Sequence, residues 1–207
     1  MGTRKPYTAI GCDPGEVTSA FAALRILPGT HKEPPRFKLR EVGFISPKHT
    51  IRNLTDAPRV EVRDGAKLIV HGLEQAVPRF ASLLDSVFDR HKPERLICER
   101  FMARRIHTKS TETVGIMNGV LVYKAVVERK MSVKLLGASE WKLNVKKVLD
   151  LEEFYAIVAE SGIPPHFVDA ISMPIYDACN RSGHPFAYRS LRRLIREAIQ
   201  VSKNATA

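Results

Sequence analysis

The sequence predicts an α/β layer fold built on a mixed, five-stranded sheet with helices against it. Three observations predict it. Three strand-like runs come first, helical and strand-like segments alternate after them, and two of the strands end in an acid. Tyr7 to Asp13 (YTAIGCD) is an apolar run closed by a carboxylate, and Pro14-Gly15 supplies a tight turn. Thr18 to Ile26 suits a second strand paired with it as a hairpin, and Phe37 to Ile45 alternates apolar and polar residues as a third. Pro28 to Arg36 reads as a loop, and Ser46 to about Arg63, with two prolines, as a long polar excursion.

From Asp64 to His91 the apolar residues recur at threes and fours, which predicts a helix that Pro78 should kink or divide. Arg95 to Glu99 (RLICE) is a short buried strand, again ending in an acid. A helix is expected over Ser110 to Lys130, with Gly115 and Gly119 marking close packing, then a fifth strand at Val133 to Leu136. Ser139 caps a short helix through Val148, and another runs from about Leu151 to Ser161. Pro164-Pro165 starts a helix from His166 to about Arg181, and Tyr188 to Val201 is a basic amphipathic helix. The expected division is a main α/β domain over residues 1–187 and a basic tail helix over 188–207.

At 207 residues the chain fits one domain with additions, and its composition, 44% hydrophobic and 27% charged, is that of an ordinary soluble protein. No apolar run is long enough to span a bilayer, and strand-like sequence starts too early to leave room for a signal peptide. A cytoplasmic protein is expected. Thirty-three basic residues against 22 acidic ones give a net charge of +11, which suggests a polyanionic partner, although the same surplus also keeps a protein soluble. Cys12, Cys98 and Cys179 lack metal-ligand spacing and read as small buried hydrophobes.

The acids carry the chemistry. Ligands of α/β folds gather beyond the carboxyl ends of strands, and Asp13 and Glu99 both fall there. His166 and Asp169 are three apart on a helix and share a face. Packing that helix across the strand ends would assemble four ligands for hard divalent cations, the means by which phosphodiesters are hydrolysed. Strand alternation sends Cys12 and Cys98 to the opposite face from their neighbours Asp13 and Glu99, so a soft-metal site is disfavoured. A helix N-terminus disfavours imidazolium, so His166 is expected neutral. Asp177 lies eight residues beyond Asp169, about 12 Å along a helix, too far to join one site. Each of these residues alone also reads as a cap or packing group; the ordered set is what points to a metal site.

At these residues the chain resembles the RuvC family of Holliday junction resolvases. Ala9 to Thr18 (AIGCDPGEVT), Glu99 to Arg104 (ERFMAR), Gly115 to Val122 (GIMNGVLV) and Pro165 to Ala170 (PHFVDA) are similar to its motifs, in order. The resemblance implies a ribonuclease H-like fold, a homodimer, two magnesium ions per site with manganese as a substitute, and paired nicks across a four-way DNA junction. It carries Asp13, Glu99, His166 and Asp169 over as the metal-site residues. Phe101 matches the aromatic that stacks at the junction centre, one residue closer to the acid than in the bacterial pattern. The longer excursions, the shortened basic loop replaced by Lys142, Lys146 and Lys147, and the basic tail fit a divergent resolvase of phage type.

Arg100, Phe101, Arg104, Arg105 and Lys109 follow the second acid, and Lys142 and Lys146 share a helix face; these are the expected DNA contacts. Arg189, Arg192, Arg193 and Arg196 form a stripe on the tail that reads equally as a solvated face. The expected activity is a crossover junction endonuclease leaving 5′-phosphates. The alternatives are another ribonuclease H-like nuclease acting on flaps, branched DNA or RNA, and a non-catalytic protein that binds branched DNA.

Overall fold

The computed structural model of the chain describes residues 5–14, 19–46, 59–64, 73–100, 109–146, 156 and 166–206. In chain order the elements are β1 (Tyr7–Asp13), β2 (Ser19–Leu27), β3 (Arg36–Ser46), β4 (Arg59–Asp64), α1 (Leu73–His91), β5 (Arg95–Glu99), α2 (Lys109–Tyr123), a π-helical turn (Lys124–Glu128), β6 (Ser132–Leu136), α3 (Ala138–Lys146), α4 (His166–Ser182) and α5 (Tyr188–Thr206). The sheet runs β4-β3-β2-β1-β5-β6. β1, β2 and β3 pair antiparallel, while β5 pairs parallel with β1 and β6 with β5.

The five expected strands are all present. The reading of residues 46–63 as an excursion is corrected at its end: Arg59–Asp64 adds β4 to the sheet edge, parallel to β3. Its two valines alternate with charged residues, a pattern too short to stand out in a polar stretch. The described part of the next helix begins at Leu73 and runs unbroken through Pro78. That proline lacks an N–H and so forfeits one backbone bond of the helix. The helix expected over 151–161 lies outside the described residues, except Ala156, which is helical.

Strand alternation builds a core on each face of the sheet. Ala9, Leu24, Leu39 and Ile97 face α3, α4 and α5, which contribute Trp141, Phe167, Ile171 and Leu194. Ile10, Cys12, Leu96 and Cys98 face α1 and α2, which contribute Phe80, Val87, Met117 and Leu121. The β2/β3 register shifts between Ala23 and Leu24, where Glu41 pairs with Ala23 and Leu39 with Leu24, so Arg40 is the extra residue of a bulge. The bulge turns Val42 to the α4 face and Glu41 to the α1 face. There Glu41, only 1% exposed, meets Arg90 at 2.7 Å and His91 at 2.5 Å. No helix among the described residues is long and apolar enough to cross a membrane.

Candidate metal centre

β1 and β5 lie in parallel register with Cys12 beside Cys98, so the next residues, Asp13 and Glu99, end their strands side by side. Both share the α4 face of the sheet with Ala9 and Ile97. α4 lies directly over β1 because Gly11 has no side chain. A Cβ there would sit 1.9 Å from the Ala170 carbonyl oxygen and 2.6 Å from Pro174 Cδ. This close approach brings the first turn of α4 over the strand ends. Asp13, Glu99 and Asp169 each offer a carboxylate oxygen, and the three oxygens lie within 4.8 Å of one another. Asp169 is buried and the other two are half-buried.

His166, the first residue of α4, places Nδ1 2.7 Å from Asp13 Oδ2. The hydrogen bond to Asp13 raises the imidazole above its ordinary value, against a smaller opposing push from burial. This direction is opposite to the one that the helix N-terminus alone would give. A full carboxylate charge at hydrogen-bond distance outweighs the partial charge of a helix N-terminus.

Lys142 of α3 is the member that sequence reasoning placed elsewhere. Its Nζ is 3.1 Å from Glu99 Oε2 and 3.1 Å from Asp169 Oδ2. It is carried there because its neighbours Trp141 and Val145, one helical turn apart, are buried in the core. Burial pulls the ammonium down, but Asp169 and Glu99 outweigh it, and its affinity for the proton is raised. A signal existed in the amphipathicity of this short helix, which sets Trp141 and Val145 inward. Nothing in the sequence ties residue 142 to residues 99 and 169.

The donor set suits hard cations. Three carboxylates converge without a sulfur ligand, since Cys12 and Cys98 point into the opposite core. Glu99 Oε2 is buried, and among the described residues the cation that meets it is the Lys142 ammonium at 3.1 Å. One ammonium against three converging carboxylates leaves negative charge in a half-buried place, which a divalent cation would offset. The residues present therefore fit a divalent metal.

Asp177 stands apart, as its spacing predicts. It receives two bonds from Arg95, 2.7 Å from Nε and 2.9 Å from Nη2, at the opposite end of β5 from Glu99. Arg100 is exposed and its backbone N–H donates to Leu136 at 2.7 Å, continuing the sheet edge just past Glu99. Phe101, Arg104 and Arg105 lie outside the described residues. Lys109 and Lys146 fall on α2 and α3, with side chains outside the description.

No protein-family model matches the chain, and no curated protein matches it by sequence. Solved structures do. RuvC of Thermus thermophilus in complex with a Holliday junction substrate matches with 18% identity and a TM-score of 0.55, over 85% of this chain and 96% of that one. A second Thermus thermophilus RuvC structure gives the same identity, TM-score and coverage. The yeast mitochondrial Holliday junction resolvase Ydc2 matches with 11% identity and a TM-score of 0.44, over 95% of this chain and 80% of that one. At this identity the two RuvC structures establish a shared fold, and the chain has the ribonuclease H-like architecture of RuvC.

Proposed function

We propose that this protein is a structure-selective endonuclease that resolves four-way DNA junctions by metal-dependent hydrolysis, leaving 5′-phosphates. The observation that carries the reading is the convergence of Asp13, Glu99 and Asp169 at the carboxyl ends of two parallel strands, on a fold shared with RuvC. Asp13, Glu99 and Asp169 would hold two magnesium or manganese ions, and His166 would bind or orient beside Asp13. When bound, the ions supply activation of the attacking water and stabilisation of the leaving oxygen. The protein's part is to hold its carboxylates rigidly from strand ends and a packed helix, so that little reorganisation is needed. The net charge of +11 favours a polyanion, and Arg100 stands exposed beside Glu99 to meet a phosphate.

A homodimer would supply the two nicks. The end of α2 and the π-helical turn after it present Tyr123, Val126 and Val127 to solvent at 56%, 44% and 47% exposure. On the same helix Gly119 faces open space, a hollow for a copy of Tyr123 in a two-fold pairing.

One observation favours a second reading, a non-catalytic protein that binds branched DNA. Lys142 already sets a cation against Glu99 and Asp169. A metal-dependent nicking assay on a mobile four-way junction, with both strands mapped, separates the two. Symmetric paired nicks in magnesium, and preference for the junction over flap, duplex and RNA–DNA hybrid, are expected. Tight junction binding without cleavage in magnesium or manganese would replace the nuclease reading with the binding one.

A further inference from the structure

A basic surface far from the carboxylates is built into the same molecule. α5 follows α4, and the connection between them is tied down where His184 Nε2 lies 2.7 Å from the Thr30 carbonyl. Its inner side is spent on the core: Leu191, Leu194, Ile195 and Ala198 are at most 1% exposed. A basic amphipathic helix can lie on an acidic membrane only if its apolar side is free to insert. Here that side is buried, so the arginines of the outer side face a partner by charge alone.

Those arginines line an open groove of about 500 Å³, formed by Tyr188, Arg189, Arg192, Arg193, Arg196 and Glu197. Four guanidiniums meet one carboxylate there, and Arg193 holds that carboxylate at 2.6 Å while donating to the Phe37 carbonyl at 2.7 Å. The groove thus has a fixed wall and is lined by four guanidiniums and one carboxylate. Arg189 to Arg196 covers about 10 Å of helix, the rise of about three phosphates along one strand of duplex.

Its position separates it from the metal centre. Phe37 pairs with Ile26, and Ile26 with Tyr7, so Arg193 sits at the end of the sheet where β1 begins. Asp13 ends that strand, roughly 20 Å away. We propose that the outer side of α5 grips the phosphate backbone of a duplex arm about six base pairs from the bond at the metal centre. This rests on the nuclease reading for the identity of the arm; the grip on duplex DNA does not.

The test uses the full chain and a 30-base-pair duplex in EDTA, with affinity measured over a range of potassium chloride. R192Q/R196Q should reduce the slope of log affinity against log salt by about two, and R189Q by about one. R192K/R196K should keep the wild-type slope, because the contacts are to phosphate rather than to bases. Hydroxyl-radical footprints on a junction should lose protection about six base pairs from the metal centre in R192Q/R196Q. An unchanged slope in both glutamine variants would overturn the proposal, whatever the junction assay gives. A reduced slope with no junction cleavage would support the α5 contact and count against the nuclease reading alone.

Discussion

Asp169 and Asp177 sit on one helix, eight residues apart, and each meets β5. At the start of β5, Asp177 meets Arg95, which bonds both of its oxygens. At the end of β5, Asp169 meets Glu99, another acid, with Asp13 beside them. The first junction is electrically complete and needs nothing from outside. The second holds three carboxylates against Lys142 and His166. Two acids of the same helix thus differ in what surrounds them: balance marks a structural lock, and excess charge marks a place for a cation.

The comparison breaks most sharply on activity. Asp13→Asn is expected to lower junction cleavage by about 10³-fold or more, several kcal/mol of lost transition-state stabilisation, while junction affinity persists. Single-turnover cleavage beside a binding titration checks both. At the balanced end the cost should fall on folding instead. Arg95→Met leaves Asp177 buried without its guanidinium and should destabilise the fold by about 3–5 kcal/mol in urea, equally with and without magnesium.

Metal addition sharpens the contrast. Magnesium or manganese at about a hundred times its dissociation constant should stabilise the wild type by about 2.7 kcal/mol, and this gain should vanish in Asp169→Asn. Thermal melts with and without metal would show it; an equal gain in both proteins would remove Asp169 from the ligand set. Gly11→Ala tests the packing both ends share. Its Cβ would meet the Ala170 carbonyl, so a loss of about 1–3 kcal/mol is expected, with weaker metal stabilisation as the first turn of α4 is lifted from Asp13.

The smallest effect concerns Glu41, a second balanced acid. Burial pushes its carboxyl up, but hydrogen bonds from His91 and Arg90 outweigh burial and hold it below the ordinary 4.5. Its contribution to stability is therefore complete above that value and is lost as pH falls through the lowered value of the folded state. Melting temperature against pH should fall less steeply at the acid end in Glu41→Gln than in the wild type.

Much of this was legible along the chain. The strands ending at Asp13 and Glu99 announce themselves by apolar runs closed with an acid, and the alternation that sends Cys12 and Cys98 the other way is a local property of strands. The spacing of His166 and Asp169 is equally local, as is the distance that keeps Asp177 out. β4 was not legible, since a short charged strand at a sheet edge gains its order from β3 rather than from its own pattern. Lys142 was not legible as a neighbour of the carboxylates either, because its helix face is that of any solvated helix until Trp141 and Val145 are seen buried.

The sequence by itself determined the elements, the two acid-ended strands and the excess of positive charge, because periodicity, turn chemistry and net charge act over a few residues or are simple sums. Tertiary structure alone decided how the elements meet. It set Asp13 beside Glu99 through parallel register, lowered α4 onto them through the missing side chain of Gly11, and paired Arg95 with Asp177. It also turned the arginines of α5 outward by burying its leucines. Those outcomes depend on contacts between residues up to 150 or so positions apart, where packing distance and charge balance are fixed only once the chain has closed on itself.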